Sequence, residues 1–216
     1  MKKVRIGILV SGRGSNLQAI IDNIETGKLS AEIAVVISDQ TDAYALERAR
    51  KYNILGVHVS AKGFKSRRDE YDALLLKELQ KHDVELVCLA GFMRIITPTL
   101  IKAYPNRILN IHPALLPSFP GLHVQKAALE HGVKFSGCTV HFVDEGMDTG
   151  PIIIQAVVPI LDNDTEDSLS QRILLQEHKI YSRAIQLYTE GRLRLDDNRV
   201  FVTGGRAESA DFLINP

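Results

Sequence analysis

Short apolar runs alternate with stretches of helical periodicity through the first two thirds of this chain, and that rhythm constrains the fold more than any other feature. Val4–Val10, Ile33–Ser38, Val57–Val59, Leu86–Ala90 and Ile108–Ile111 lack clean polar alternation, so each reads as a strand buried on both faces. Between the first two, Leu17, Ile20, Ile21 and Ile24 recur at helical spacing, with Gly27 placed to end the helix. Ala43–Tyr52 and Ser66–His82 give two more helices, and Thr97-Pro98 reads as an N-cap followed by proline at the first helical position. Such alternation predicts an α/β fold, a Rossmann-like, mostly parallel twisted sheet with helices on both faces. Ligands of such sheets sit at the carboxyl ends of the strands.

After Pro120-Gly121 the rhythm changes. A helix near Val124–His131 leads into the β-rich runs Gly137–Val143 and Ile152–Val158, which are expected to extend the sheet. A long helix from about Asp167 to Glu190 follows, then a polar tail, 191–216. No repeat, low-complexity tract or linker divides the chain, and 216 residues suit one domain, 1–216.

Composition excludes several classes of partner. Twenty-six basic residues balance 26 acidic ones, leaving no net field to hold nucleic acid by counterion release. Cys88 and Cys138 lie 50 positions apart in apolar runs, without ligand-like spacing, which suits a reducing cytosol and implies no disulfide framework. Met1-Lys2-Lys3 before Val4–Val10 imitates a secretory start, but Arg5 interrupts the run and Gly12-Arg13-Gly14 ends it before a cleavage site. No apolar run approaches the roughly 18 residues that span a bilayer. A soluble, cytoplasmic protein with no membrane partner is expected.

Four segments could carry chemistry. Ser11-Gly12-Arg13-Gly14-Ser15-Asn16-Leu17 joins the first strand to the first helix, where glycines let backbone N–H groups approach an anion and the helix terminus adds partial positive charge. A plain tight turn capped by Ser15 or Asn16 explains the same residues. A dinucleotide site with Asp39 as the ribose-binding acid is a third option, although the third glycine of its fingerprint would fall at Leu17, so a single phosphate fits better. Asn110-Ile111-His112-Pro113 ends the fifth predicted strand. Side chains two apart share a face, which pairs an amide donor with a titratable imidazole, a combination suited to attack on a carbonyl. A structural strand-end histidine is the plainer alternative.

Asp144-Glu145-Gly146-Met147-Asp148-Thr149-Gly150-Pro151 is an acidic turn that Asx geometry alone could explain. Beside His112, His123 and His141 its carboxylates raise a metal site, but no H-E-x-x-H pattern or cysteine pair accompanies them, so no metal is expected. One carboxylate directed at His112 is the sharper reading. Finally, Leu89-Ala90-Gly91-Phe92-Met93-Arg94-Ile95-Ile96 ends the fourth strand, as a core strand entering a turn or as an apolar wall with exposed backbone amides for a flat heteroaromatic ligand.

In this order the motifs G-x-G-S-N-L, A-G-F-M-R-I, L-N-I-H-P-x-L-L-P-x-x-P-G-L-H and D-x-G-P resemble the phosphoribosylglycinamide formyltransferases over about residues 4–190. The resemblance implies the formyltransferase fold, with a phosphate-binding half at about 1–105 and a folate-binding, catalytic half at about 106–190. It implies transfer of the formyl group of 10-formyltetrahydrofolate, the co-substrate, to the amine of glycinamide ribonucleotide in purine (IMP) synthesis. A tetrahedral intermediate forms directly, without metal or covalent enzyme intermediate. Carried over by position, Asn110, His112 and Asp148 are catalytic. Gly14, Ser15, Asn16 and Glu177 contact the ribonucleotide, and Arg67, Met93, Arg94, Ile95, Ile96 and Asn110 contact folate. Ser66-Arg67-Arg68-Asp69 is one residue longer than the family pattern, which leaves Arg67 and Arg68 as competitors. Ile173, Leu174 and Leu175 stand where the family has a polar contact.

Formyltetrahydrofolate hydrolases and methionyl-tRNA formyltransferases share the asparagine, histidine and aspartate set. The former resemble this chain with an added N-terminal regulatory domain, for which Met1 to Lys3 leaves no room. The latter add a basic C-terminal domain, whereas this chain ends soon after its long helix. A nucleotide-binding regulatory module is the non-enzyme alternative. Monomer and homodimer are both compatible with the sequence.

Overall fold

A computed structural model describes residues 3–204. Met1, Lys2 and the end of the expected tail, 205–216, lie outside the described residues. Seven strands, β1 (Val4–Val10), β2 (Ala31–Ser38), β3 (Gly56–His58), β4 (Leu86–Leu89), β5 (Ile108–His112), β6 (Phe135–Phe142) and β7 (Ile152–Pro159), form one sheet in the order β3-β2-β1-β4-β5-β6-β7. β1 to β5 run parallel, and β6 and β7 each run antiparallel to the strand before them. Six helices complete the layers: α1 (Ser15–Glu25), α2 (Tyr44–Lys51), α3 (Arg68–Lys81), α4 (Pro98–Ala103), α5 (Val124–Glu130) and α6 (Glu166–Thr189).

The apolar runs are continuous because both faces of the sheet are covered. Ile6, Ile8 and Val10 point into one core, shared with Leu17 and Ile20 of α1 and Ile173 and Ile180 of α6. Their neighbour Leu9 points into the opposite core, with Leu75 and Leu79 of α3 and Leu100 of α4. Each of these buried leucines and isoleucines contributes up to roughly 1.5–3 kcal/mol of transfer free energy. Cys88 and Cys138 are buried free thiols in the first core, and burial pushes the Cys88 thiol up to about 12. Among the described residues no helix is long and apolar enough to cross a membrane.

Strand order places the cleft. From β1 the chain moves outward to β2 and β3, then returns to the other side of β1 for β4 and β5. The connections leaving β1 and β4 therefore diverge, opening a crevice at their carboxyl ends. Both glycine-bearing segments singled out in the sequence, after β1 and after β4, border it.

Two local readings need correction. Neither Ser15 nor Asn16 caps α1; the cap is Gly14 at φ +69°, and no side chain bonds the first turn. The polar tail contains a hairpin, β8 (Leu193–Asp196) and β9 (Arg199–Val202). Its strands do alternate, Leu193 and Leu195 facing Val202 and Val200, but Arg194, Asp196 and Arg199 dilute the apolar signal. Asp197 in the left-handed region makes the two-residue turn.

Candidate active site

The turn from β1 into α1 is shaped by its second glycine. A Cβ on Gly14 would stand 2.7 Å from Ala45 Cβ, and its left-handed φ independently favours glycine. With no side-chain cap, the first N–H groups of α1 remain directed outward, as an anion requires. They open into a pocket of about 250 Å³ whose lining includes Gly14, Ser15, Asn16, Met93, Leu174 and Glu177. Four positions assigned separately in the sequence thus meet: Gly14, Ser15 and Asn16 on one wall and Glu177 of α6 on another. Asn16 is 7% exposed and its Nδ2 donates to Glu177 Oε2 at 2.7 Å, so its amide nitrogen is committed to α6 while its Oδ1 has no hydrogen-bond partner. Burial raises the Glu177 carboxyl above its ordinary value, and the Asn16 bond opposes that shift. Asp39, the ribose-binding acid of the dinucleotide alternative, follows the end of β2 and is buried; its Oδ2 accepts from Gln40 Nε2, while its Oδ1 has no partner.

The segment after β4 is tied to that turn. Ser11 N–H donates to Gly91 O at 3.0 Å, and Met93 N–H donates to Ser11 Oγ at 2.9 Å. Of the backbone amides expected to be exposed there, that of Met93 is therefore engaged. Ile96 is no part of an apolar wall either; it is 6% exposed and packs in the second core, because the chain turns inward to begin α4. Met93 and Ile95, 64% and 49% exposed, provide the apolar surface. Thr97 stands at the N-cap with Pro98 behind it, but its N–H donates to Asp72 and its hydroxyl makes no cap bond. Arg94 lies over the Tyr71 ring at 4.6 Å, Tyr71 is tilted against Phe64 at 5.8 Å, and Arg67 lies over Phe64 at 5.1 Å. This ladder connects Arg67 with Arg94. No contact ties Arg68 to it among the described residues, and Arg67 also pairs with Glu70 Oε2 at 3.0 Å.

Asn110, His112 and Asp148 converge at the end of β5. Asp148 Oδ1 lies 3.4 Å from Asn110 Nδ2, and Oδ2 lies 3.5 Å from His112 Nδ1. The acidic turn divides its labour. Asp144 makes the Asx geometry, accepting from Gly146 N–H and Thr149 Oγ1, whereas Asp148 sits at φ +55° and turns inward, where Gly121 N–H holds its Oδ2 at 2.9 Å. Gly150 fixes the turn, since a Cβ there would fall 1.9 Å from Phe142 O.

The histidines have distinct jobs. His112 Nε2 donates to Phe119 O at 2.8 Å, because a carbonyl can only accept, so Nδ1 is the nitrogen that meets Asp148. His141, opposite Asn110 in the β5–β6 register, was considered in the sequence only as a metal ligand. Its Nδ1 donates to Phe142 O at 2.8 Å, leaving Nε2 to accept from Asn110 Nδ2 at 3.1 Å. Burial lowers its pKa and favours this neutral form, against opposing pulls from the Phe142 carbonyl and Asp148. His141, Phe119 and Gly121 are site residues that sequence reasoning missed. Only the strand register could have revealed His141. Among the described residues no group of three or more histidine, cysteine or acidic side chains could hold a metal.

The family pattern described as formyl transferase matches residues 4–185. The phosphoribosylglycinamide formyltransferase of Escherichia coli K12 is 44% identical over 203 residues, covering 94% of this chain and 95% of that protein. The trifunctional purine biosynthetic protein adenosine-3 of Chironomus tentans is 48% identical over 197 residues, but this chain spans only 14% of its length. The crystal structure of glycinamide ribonucleotide transformylase 1 from Symbiobacterium toebii superposes with a TM-score of 0.91 at 53% identity, covering 94% of this chain and 95% of that one.

Proposed function

Because the chain belongs to the formyl transferase family, we propose that it transfers the formyl group of 10-formyltetrahydrofolate to the amine of glycinamide ribonucleotide, a step of purine biosynthesis in the cytoplasm. The convergence of Asn110, His112 and Asp148 at the end of β5, next to the end of β4 from which the Met93–Ile96 segment leaves, carries this reading. The α1 terminus takes the phosphate, with Glu177 facing the rest of the ribonucleotide. Met93 and Ile95 take the flat ring system of the folate, and Arg67 and Arg94 suit its carboxylates.

The chemistry joins the substrate amine to the formyl carbon, breaks the bond from that carbon to folate N10, and moves one proton from the amine to N10. Asn110 donates to the oxygen as it gains charge. His141 accepts one of the two Asn110 amide hydrogens at 3.1 Å, and the second is held only by the long 3.4 Å contact to Asp148, which makes it the one to release. At 3.5 Å, His112 and Asp148 stand at the outer limit of a direct hydrogen bond. Such pairs tighten in the reacting complex, where Asp148 stabilises a charged imidazole during proton transfer. Holding both substrates in one cleft supplies the proximity advantage.

One incubation tests the proposal: protein with both substrates, followed by folate absorbance and product mass. The expected result is N-formyl product and tetrahydrofolate in equal amounts. Formate released without formylated product identifies a hydrolase, and no turnover identifies a binding protein; either result defeats the reading.

A further inference from the structure

The pocket at the α1 terminus has an uneven distribution of charge. A phosphate monoester carries about −1.5 to −2 at neutral pH, more than a helix terminus, worth roughly half a positive charge, can balance. The α6 wall contributes Leu174, which is apolar, and Glu177, which is acidic. Among the described residues lining this pocket, Arg13 alone has a cationic side chain. Its guanidinium is exposed and makes no hydrogen bond or ion pair among the described residues.

The backbone beneath Arg13 is held firmly. Arg48 Nε donates to Arg13 O at 2.9 Å, Arg48 Nη1 donates to Gln18 Oε1 at 2.9 Å, and the Arg48 guanidinium lies 4.8 Å from the centre of the Tyr44 ring. Arg48 is thus occupied in bracing the turn, while Arg13 is held at its apex with its side chain exposed. The pocket also contains an unanswered polar atom. Asn16 is 7% exposed, yet its Oδ1 has no hydrogen-bond partner, a costly arrangement unless a ligand hydroxyl completes it.

We propose that Arg13 folds over the substrate phosphate and supplies the positive charge that α6 lacks, so that this chain selects phosphorylated over unphosphorylated substrate through the apex of its first turn. The proposal rests on reading this pocket as the phosphate end of the transferase cleft. It deepens that reading by assigning the discrimination to one side chain. A fork-shaped guanidinium suits this task, because it can give a phosphate two parallel hydrogen bonds.

The test compares wild type with Arg13→Gln by the ratio of kcat/KM for glycinamide ribonucleotide to kcat/KM for the riboside lacking the phosphate. The ratio is expected to fall about 10- to 100-fold, the span for losing one charge-assisted contact. Adding Leu174→Lys to Arg13→Gln places a cation on the opposite wall and is expected to restore part of it. A ratio within about twofold of wild type overturns the assignment. A phosphorus NMR titration with inorganic phosphate provides an arm independent of formyl transfer, in which Arg13→Gln is expected to bind more weakly than wild type. Equal binding, or no saturable binding by wild type, overturns the proposal even if transfer is observed. If wild type transfers no formyl group but binds phosphate through Arg13, the transferase reading fails, and with it the selection of that substrate, while Arg13 is kept as a phosphate ligand.

Discussion

The two ends of the cleft are built from different materials. The proposed phosphate end is mainly backbone, formed by consecutive residues around one left-handed glycine, where N–H donors present in any sequence are joined by the Arg13 side chain. The proposed catalytic end is side chain, assembled from Asn110 and His112 of β5, from Asp148 38 positions after Asn110, and from His141 31 positions after Asn110. A backbone site fails when the local conformation changes, whereas a side-chain site fails when one functional group is exchanged and the fold is untouched. Substitutions at the two ends should therefore damage different kinetic constants.

The sharpest separation comes from Asp148→Asn. Asparagine tolerates the left-handed conformation and keeps an oxygen for Gly121 N–H, so the turn is retained while the charge beside His112 is lost. We expect kcat to fall on the order of 10² to 10⁴, with modest changes in either KM. A folded variant retaining more than about a tenth of wild-type kcat would remove Asp148 from the chemistry.

At the other end, Gly14→Val imposes a β-branched side chain on a left-handed residue, against Ala45. The backbone must shift to relieve roughly 1–2 kcal/mol of strain or more, and the N–H groups lose their aim. The KM for glycinamide ribonucleotide should rise about 10- to 100-fold, as for lost hydrogen bonds to a charged group, while folate affinity is nearly preserved. If kcat falls instead and KM holds, the two ends are not separable in this way.

A smaller effect is expected on stability, because the side-chain end buries an imidazole. His141 has its folded pKa below the ordinary value near 6.5, so in acid the unfolded chain binds a proton that the folded chain resists. Its contribution is fully present above about pH 6.5 and is lost as pH falls from there to the folded value, with a slope no steeper than about 1.4 kcal/mol per pH unit. Glu177 acts in the opposite sense, since its folded pKa is raised. The useful measurement is therefore the difference between wild type and His141→Gln in denaturant titrations at several pH values. Parallel stability curves from pH 7 to 5 would show that His141 is not held neutral by its burial.

The same contrast explains what the sequence could reveal. The glycine turn, the strand rhythm and the face shared by Asn110 and His112 are local patterns of spacing, and they are found where spacing places them. What reached Asp148 was the resemblance; spacing alone offered three acidic residues in one turn and could not say that Asp144 would close the turn while Asp148 faced inward. His141 depends on a register between antiparallel strands 31 residues apart, which no local pattern records. Ile96 and Asn16 were misjudged in detail for a related reason. The position of each in a motif was legible, but the direction of its side chain is set by packing against α4 and α6.

Ser11 lies on the seam between the turn proposed to take the phosphate and the segment proposed to face folate, and offers the finest test of how far the ends of the cleft are independent. Its N–H donates to Gly91 O and its Oγ accepts from Met93 N–H, so one residue fixes the phosphate turn against that segment. Ser11→Ala leaves the first bond and removes the second, without changing a charge or a core contact. A single neutral hydrogen bond contributes about 0.5–1.5 kcal/mol, equivalent to a factor of roughly 2 to 12. If that bond only stiffens the folate-facing segment, the variant should weaken folate binding by such a factor whether or not ribonucleotide is present. If it transmits order between the sites, the loss should instead appear in their coupling. Ribonucleotide would then improve folate affinity less in the variant than in wild type, and by reciprocity folate would improve ribonucleotide affinity less by the same factor. Calorimetric titration of each ligand with and without the other, using a non-reactive folate analogue, separates the cases. Unchanged affinity and unchanged coupling would mean that the freed Met93 amide finds water at no cost, and that the two ends of the cleft work independently.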